Sequence, residues 1–325
     1  MKTSHDITLI NYYSGELPPY ARLFFETCRA NPDVHFLIAG SRLPLASDLP
    51  NVTFLHITED ELRKRAEQCS GMSVALESHR KICDLKPLYG DIFLDEISEF
   101  DFWGYCDIDV AWGNITNFLD SATLSSYDVI STRGDSWLSG ACTIFRNEEY
   151  FRKLYLKSPS VEKMLSDPEP WIFDENNNRR GQPPLLPIPE LVDRNLPVSM
   201  LHVVTQAARD GELCLHQPNI LRERKPRKYD FTIHWTPTQM IEENWGEILG
   251  YHLLFAKDAP FFFIPKDMER VQSIVITPKG VRRGKQSEKA FKAQRIIKGL
   301  PRWFRQKTAN LQDKVNPRTA VPPEQ

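Results

Sequence analysis

Long apolar runs are missing from this 325-residue chain, and no stretch approaches the roughly 20 residues that a membrane-spanning helix needs. The opening residues Met1 to Asp6 run directly into the short segment Ile7-Thr8-Leu9-Ile10, with neither a signal-type apolar core nor a cleavage site, so cytoplasmic residence is the expectation. Cys28, Cys69, Cys83, Cys106, Cys142 and Cys214 include no CxxC pair and no histidine at zinc-site spacing. That argues against a structural zinc or a disulfide framework and for reduced, mostly buried thiols. Net charge is also nearly absent, at −2, so no global basicity points to nucleic acid. Internal repeats are lacking too.

What is present is an ordinary globular composition, 41% hydrophobic and 26% charged, in a chain long enough to bury a full core. Short β-type runs at Ile7 to Asn11, Val34 to Ala39 and Val52 to Ile57 are separated or followed by helical patterns. One such helix follows Pro18-Pro19, another starts at the capping box Thr58 to Glu61, and a third is expected over Pro87 to Ile97, with Lys86 before it held extended by the proline. Further strands are expected at Tyr127 to Thr132, Gly140 to Phe145, Phe231 to Trp235, Ile248 to Phe255 and Phe261 to Ile264. Strands alternating with helices predict an α/β fold with a mostly parallel, Rossmann-like sheet flanked by helices. The expected organisation is one domain over residues 1–265, interrupted by a proline-rich surface excursion at 166–197, and a basic, partly helical or disordered tail over 266–325.

The segment Phe102-Trp103-Gly104-Tyr105-Cys106-Asp107-Ile108-Asp109-Val110 places two acids in what otherwise reads as a buried strand. Alternation sends Tyr105, Asp107 and Asp109 to one face, which makes the carboxylates near neighbours. Like charges held close in a half-buried place raise each other's pKa unless a cation neutralises them, and a divalent ion with oxygen ligands does so. The competing reading is a solvated strand face that carries two acids.

Three ordered blocks, Lys81-Ile82-Cys83-Asp84-Leu85-Lys86-Pro87-Leu88-Tyr89-Gly90, Asp101 to Asp109, and Tyr251-His252-Leu253, resemble the metal-dependent GT-A glycosyltransferases. Their DxD motif holds Mn²⁺ or Mg²⁺ against the diphosphate of a sugar nucleotide. The resemblance is closest to a largely uncharacterised bacterial family assigned to polysaccharide biosynthesis, and it covers roughly residues 5 to 265. The chain departs from the family pattern at Ala111-Trp112. The resemblance implies a GT-A-like fold, with Asp107 and Asp109 as metal ligands, His252 as the third, and Lys257 on phosphate. His234 is the competing histidine. It further implies Lys86 on the donor phosphates, Asp84 accepting from a ribose or base, and Gly140 beside the donor sugar, where small residues let main-chain N–H groups approach. Asp84 and Lys86 also read as residues that merely cap and solvate a helix start.

A base for an acceptor hydroxyl, if one is used, is expected at Asp174 or Glu175, which follow the apolar Trp171-Ile172-Phe173; Asp135 is a second candidate, for sugar hydroxyls. The tail gathers Arg282, Arg283, Lys285, Lys289, Lys292, Arg295, Lys298, Arg302, Arg305 and Lys307 against Glu288 alone, with Trp303 and Phe304 at helical apolar spacing. Such a pattern suits docking on an anionic membrane surface, a peripheral location on the inner face; a solvated tail is the alternative. The expected partners are therefore a nucleotide-sugar donor and a glycan or lipid-linked acceptor, with no nucleic acid. A metal-dependent nucleotidyl- or phosphoryl-transferase and a non-catalytic nucleotide-binding module remain as rival functions.

Overall fold

The computed structural model describes residues 6–134, 137–176, 185–223, 230–259 and 262–284. Strands β1 (Ile7–Tyr12), β2 (Val34–Gly40), β3 (Val52–His56), β4 (Phe102–Cys106), β6 (Val129–Ser131), β7 (Cys142–Arg146) and β8 (Leu215–His216) form a seven-stranded sheet in the order β3-β2-β1-β4-β7-β6-β8, and β5 (Val110–Trp112) lies outside it. The pairs β1–β2, β2–β3, β1–β4 and β6–β8 are parallel, whereas β7 runs antiparallel to both β4 and β6. The fold is thus mixed α/β with a parallel-rich sheet.

Helices cover both faces, which is why the central strands are mostly apolar and buried nearly throughout rather than alternating. Along β4 every residue is buried, with Trp103 and Tyr105 in one core and Phe102 and Cys106 in the other. The first helix, α1 (Ala21–Arg29), and the second, α2 (Glu59–Ser70), start close to the expected positions, and Thr58 and Glu61 make the reciprocal capping box.

Two smaller sheets complete the fold. β9 (Leu221–Glu223), β13 (Gly250–His252) and β5 form one, in the order β5-β13-β9. β10 (Ile233–Thr236), β11 (Gln239–Glu242), β12 (Gly246–Glu247), β14 (Ile274–Thr277) and β15 (Gly280–Arg283) form the other, ordered β12-β11-β10-β14-β15.

Several expectations are corrected. The strand carrying the two acids ends at Cys106; Asp107 to Asp109 is a turn, closed by the Val110 N–H donating to Asp107 O at 3.2 Å. Lys86 is not extended but lies within a 3₁₀ helix, Lys81–Leu88, which accommodates Pro87. The helix expected over Pro87 to Ile97 is broken into short pieces, Tyr89–Ile92 and Leu94–Ile97. The strand expected over Ile248 to Phe255 contracts to β13, and Phe263 makes an isolated bridge to Gly280 in place of a strand at Phe261 to Ile264, of which residue 261 is outside the described set. Residues 274–283, assigned to the tail by sequence, are β14 and β15; Val281 is buried in the same core as Trp235 and Ile233. The rest of the basic segment lies outside the described residues. Among the described residues no helix is long and apolar enough to cross a membrane.

The proline-rich excursion is likewise not all surface. Trp171, Phe173, Asp174 and Asn176 are buried, and Ile172 between them takes a φ of 57°, a left-handed conformation rare for a β-branched residue.

Candidate active site

A cleft of about 640 Å³ opens beyond the carboxyl ends of β1 and β4, where open α/β sheets bind their ligands. Asn11 and Tyr12, the last residues of β1, and Tyr13 after them line its wall; Asp107, Ile108 and Asp109 follow β4. His252 enters from β13, whose register sets it opposite Val110 on one side and Glu223 on the other.

Asp107, Asp109 and His252 converge there, and one ligand atom from each lies within 4.8 Å of the others. His252 Nε2 stands 3.2 Å from Asp109 Oδ1 and 3.6 Å from Asp107 Oδ2. The outer carboxylate oxygens hold lysines: Lys86 Nζ donates to Asp107 Oδ1 at 2.8 Å, and Lys257 Nζ to Asp109 Oδ2 at 2.6 Å. Two carboxylates and an imidazole form a donor set that Mn²⁺ accepts; for Mg²⁺, waters would complete the shell. The residues fit a divalent cation.

The electrostatics follow from that crowding. Burial opposes ionisation of Asp109, which is only 3% exposed, but His252 and Lys257 outweigh it and hold the carboxyl well below the usual range. Burial would likewise lower the pKa of His252, yet Asp109, Glu223 and Asp107 push it up to about 10. Asp107, Asp109 and His252 would hold such a cation, which would compete with a proton for the His252 ring.

Asp174 and Glu175 reach the cleft from the far wall. Asp174 Oδ2 is 3.4 Å from Lys86 Nζ, and Tyr105 on β4 donates to the Asp174 main-chain oxygen at 3.3 Å. Burial lifts the Asp174 carboxyl well above its ordinary range against the pull of Lys86, and burial lifts Glu175 against Lys86 and Arg133. Gly140 leaves room for both acids. A Cβ there would sit 2.6 Å from Asp174 Oδ2 and 2.7 Å from Glu175 Oε1, while the Gly140 N–H donates to Glu175 Oε1 at 3.3 Å and its carbonyl accepts from Lys86 at 2.6 Å. The glycine therefore makes space for protein carboxylates.

Asp84 is turned elsewhere. It is fully buried, and its oxygens accept from the Trp171 and Phe173 main-chain N–H groups at 2.8 and 2.9 Å and from Lys81 Nζ at 3.0 Å, so none is presented to a ribose or base. His234 is on β10, exposed and paired with Glu243 at 2.8 Å, and it does not line the cleft. Asp135 lies outside the described residues. Sequence reasoning missed Glu223, which accepts from His252 Nδ1 at 2.7 Å. It stands in the charged run Arg222-Glu223-Arg224-Lys225, which reads as solvated surface; only strand register reveals it. The aromatic wall of Tyr12, Tyr13 and Tyr20 was equally hidden.

Residues 9–183, more than half of the chain, match the model of a family of unknown function, DUF6625. The chain belongs to that family. The matched stretch carries Lys86, Asp107, Asp109, Gly140 and Asp174, whereas His252 and Lys257 lie beyond it. No curated protein matches the chain. Among solved structures, that of mouse xyloside xylosyltransferase 1 in its apo form is similar at 9% identity and a TM-score of 0.39, covering 76% of this chain and 97% of the other. That of the galactosyltransferase LgtC in complex with donor and acceptor sugar analogs is similar at 12% identity and a TM-score of 0.33, covering 68% and 77%.

Proposed function

We propose that this DUF6625 protein is a metal-dependent glycosyltransferase that moves a sugar from a nucleotide-sugar donor to a glycan or lipid-linked acceptor in bacterial polysaccharide biosynthesis. One observation carries the reading: Lys86, Asp107, Asp109 and His252, drawn from three sequence blocks as far apart as residues 81 and 253, meet within hydrogen-bonding and coordination distances in one cleft. A solvated pair of strand acids would not collect a buried histidine and two lysines.

In this reading Asp107, Asp109 and His252 hold Mn²⁺ or Mg²⁺. The ion, when bound, neutralises charge developing on the departing diphosphate. Lys86 and Lys257, already aimed into the cleft, place ammonium groups where donor phosphates would lie. Glu175, half-buried with a raised pKa and joined to the Gly140 N–H, is placed to accept a proton from an acceptor hydroxyl, with Asp174 and Lys86 setting the local charge. Asp135 keeps its proposed role toward sugar hydroxyls. The basic segment beyond residue 284 is proposed to bring the protein to an anionic membrane at the inner face of the cell.

The test is product analysis with a panel of nucleotide sugars and Mn²⁺. Release of nucleoside diphosphate that stops with EDTA is the expected result. Pyrophosphate release would instead point to nucleotidyl transfer, and metal-dependent binding without turnover to a nucleotide-binding module.

A further inference from the structure

Glu223 is a buried carboxylate that the proposed chemistry leaves without a task. Its side chain is only 6% exposed: Oε1 lies 2.7 Å from His252 Nδ1, and Oε2 forms an ion pair with Arg133, 2.8 Å from its Nη2, without the alignment of a hydrogen bond. Arg133 is fixed in turn, its guanidinium carbon 5.1 Å from the centre of the Trp137 ring. The parallel register of β9 with β13 sets Glu223 directly beside His252, so the contact is dictated by main-chain pairing rather than by two flexible side chains meeting.

A carboxylate can only accept, so the Nδ1 atom that faces it carries the proton. The remaining nitrogen, Nε2, is the one that points at Asp107 and Asp109. We infer that Glu223 is a positioning residue for the metal centre: it fixes the ring orientation and the tautomer of His252 so that the Nε2 lone pair faces the ion, with Arg133 holding the carboxylate in line. This rests on the metal-site reading proposed above. An accepting group on the far nitrogen of a ligating histidine sharpens its orientation and raises its basicity, and losing it weakens metal affinity roughly 10- to 100-fold.

The experiment measures Mn²⁺ affinity directly, by electron paramagnetic resonance titration of free Mn²⁺, on the full chain and its variants, with thermal unfolding in EDTA alongside. Glu223→Ala is expected to raise the Kd for Mn²⁺ about tenfold or more. Glu223→Gln, whose amide oxygen still accepts from Nδ1–H, should recover part of that loss, and the unfolding temperature in EDTA should not track the Kd. Should the alanine variant fail to fold, Glu223→Asp takes its place: with its carboxylate one methylene short of Nδ1–H, that variant is expected to bind Mn²⁺ more weakly than the wild type, and wild-type affinity in it would overturn the role of Glu223. Alanine and glutamine variants that bind as the wild type does, while Asp109→Asn does not bind, would overturn the role of Glu223 and leave the metal site standing. A glutamine no better than alanine would overturn the hydrogen-bond role. A wild-type protein that ignores Mn²⁺ would overturn both readings.

Discussion

Asp84 holds Trp171 in place, its Oδ2 accepting the Trp171 main-chain N–H at 2.8 Å while Oδ1 takes that of Phe173 at 2.9 Å. The two donors flank Ile172, whose left-handed φ of 57° an L-residue adopts only at a cost of roughly 1–2 kcal/mol. This clamp of two bonds thus brackets the turn after which Asp174 and Glu175 line the cleft. Lys81, fully buried, neutralises Asp84 and donates to Met164 O.

Asp84→Ala should accordingly leave the Lys81 ammonium buried without its partner and lower the unfolding free energy by about 3–5 kcal/mol. Chemical denaturation measures it. A loss below about 1 kcal/mol would mean that the clamp is not what holds the 170–176 segment.

Replacing Asp107 or Asp109 with asparagine removes a charged ligand from a hard-cation site. Both variants should still unfold cooperatively, but calorimetric titration with Mn²⁺ should show binding abolished or weakened by orders of magnitude. Wild-type Mn²⁺ affinity in both would remove the basis for the proposed function.

Gly140→Ala places a Cβ against two carboxylates. Asp174 is held by Lys86 and cannot retreat easily, so a stability loss of about 1–3 kcal/mol is expected, with a larger proportional loss of metal-dependent donor hydrolysis. Thermal unfolding and product release, measured on the same preparation, separate the two. Unchanged hydrolysis would mean that the packing of these acids does not matter to turnover.

Truncation distinguishes the fold from the tail. A chain ending at Gly284 should keep its unfolding temperature and donor hydrolysis but lose sedimentation with anionic liposomes, since each basic residue near such a surface adds about 1 kcal/mol. One ending at Gly280 removes most of β15, including buried Val281, and should melt markedly lower. Full-length protein that ignores anionic liposomes at low salt would end the membrane proposal without touching the metal site.

Local chemistry made the α/β class, the first three strands, the capping box at Thr58 and the paired acids of the 102–110 segment legible in the sequence, because these depend on periodicity and on residue types within a few positions of each other. The same local reasoning misjudged how Asp107 and Asp109 come together: alternation along a strand predicts a shared face, but a turn after Cys106 does the work. It also took Asp84 for a ligand-facing acid, since nothing within its own segment announces that two main-chain N–H groups some 87 and 89 residues later will claim it. Glu223 beside His252, the antiparallel β7, and β14 and β15 within the third sheet were decided by which strands pair, in which direction and in which register. Register is fixed by which apolar faces are buried together once all the strands have assembled, and that is a property of the packed molecule rather than of any one stretch of its chain.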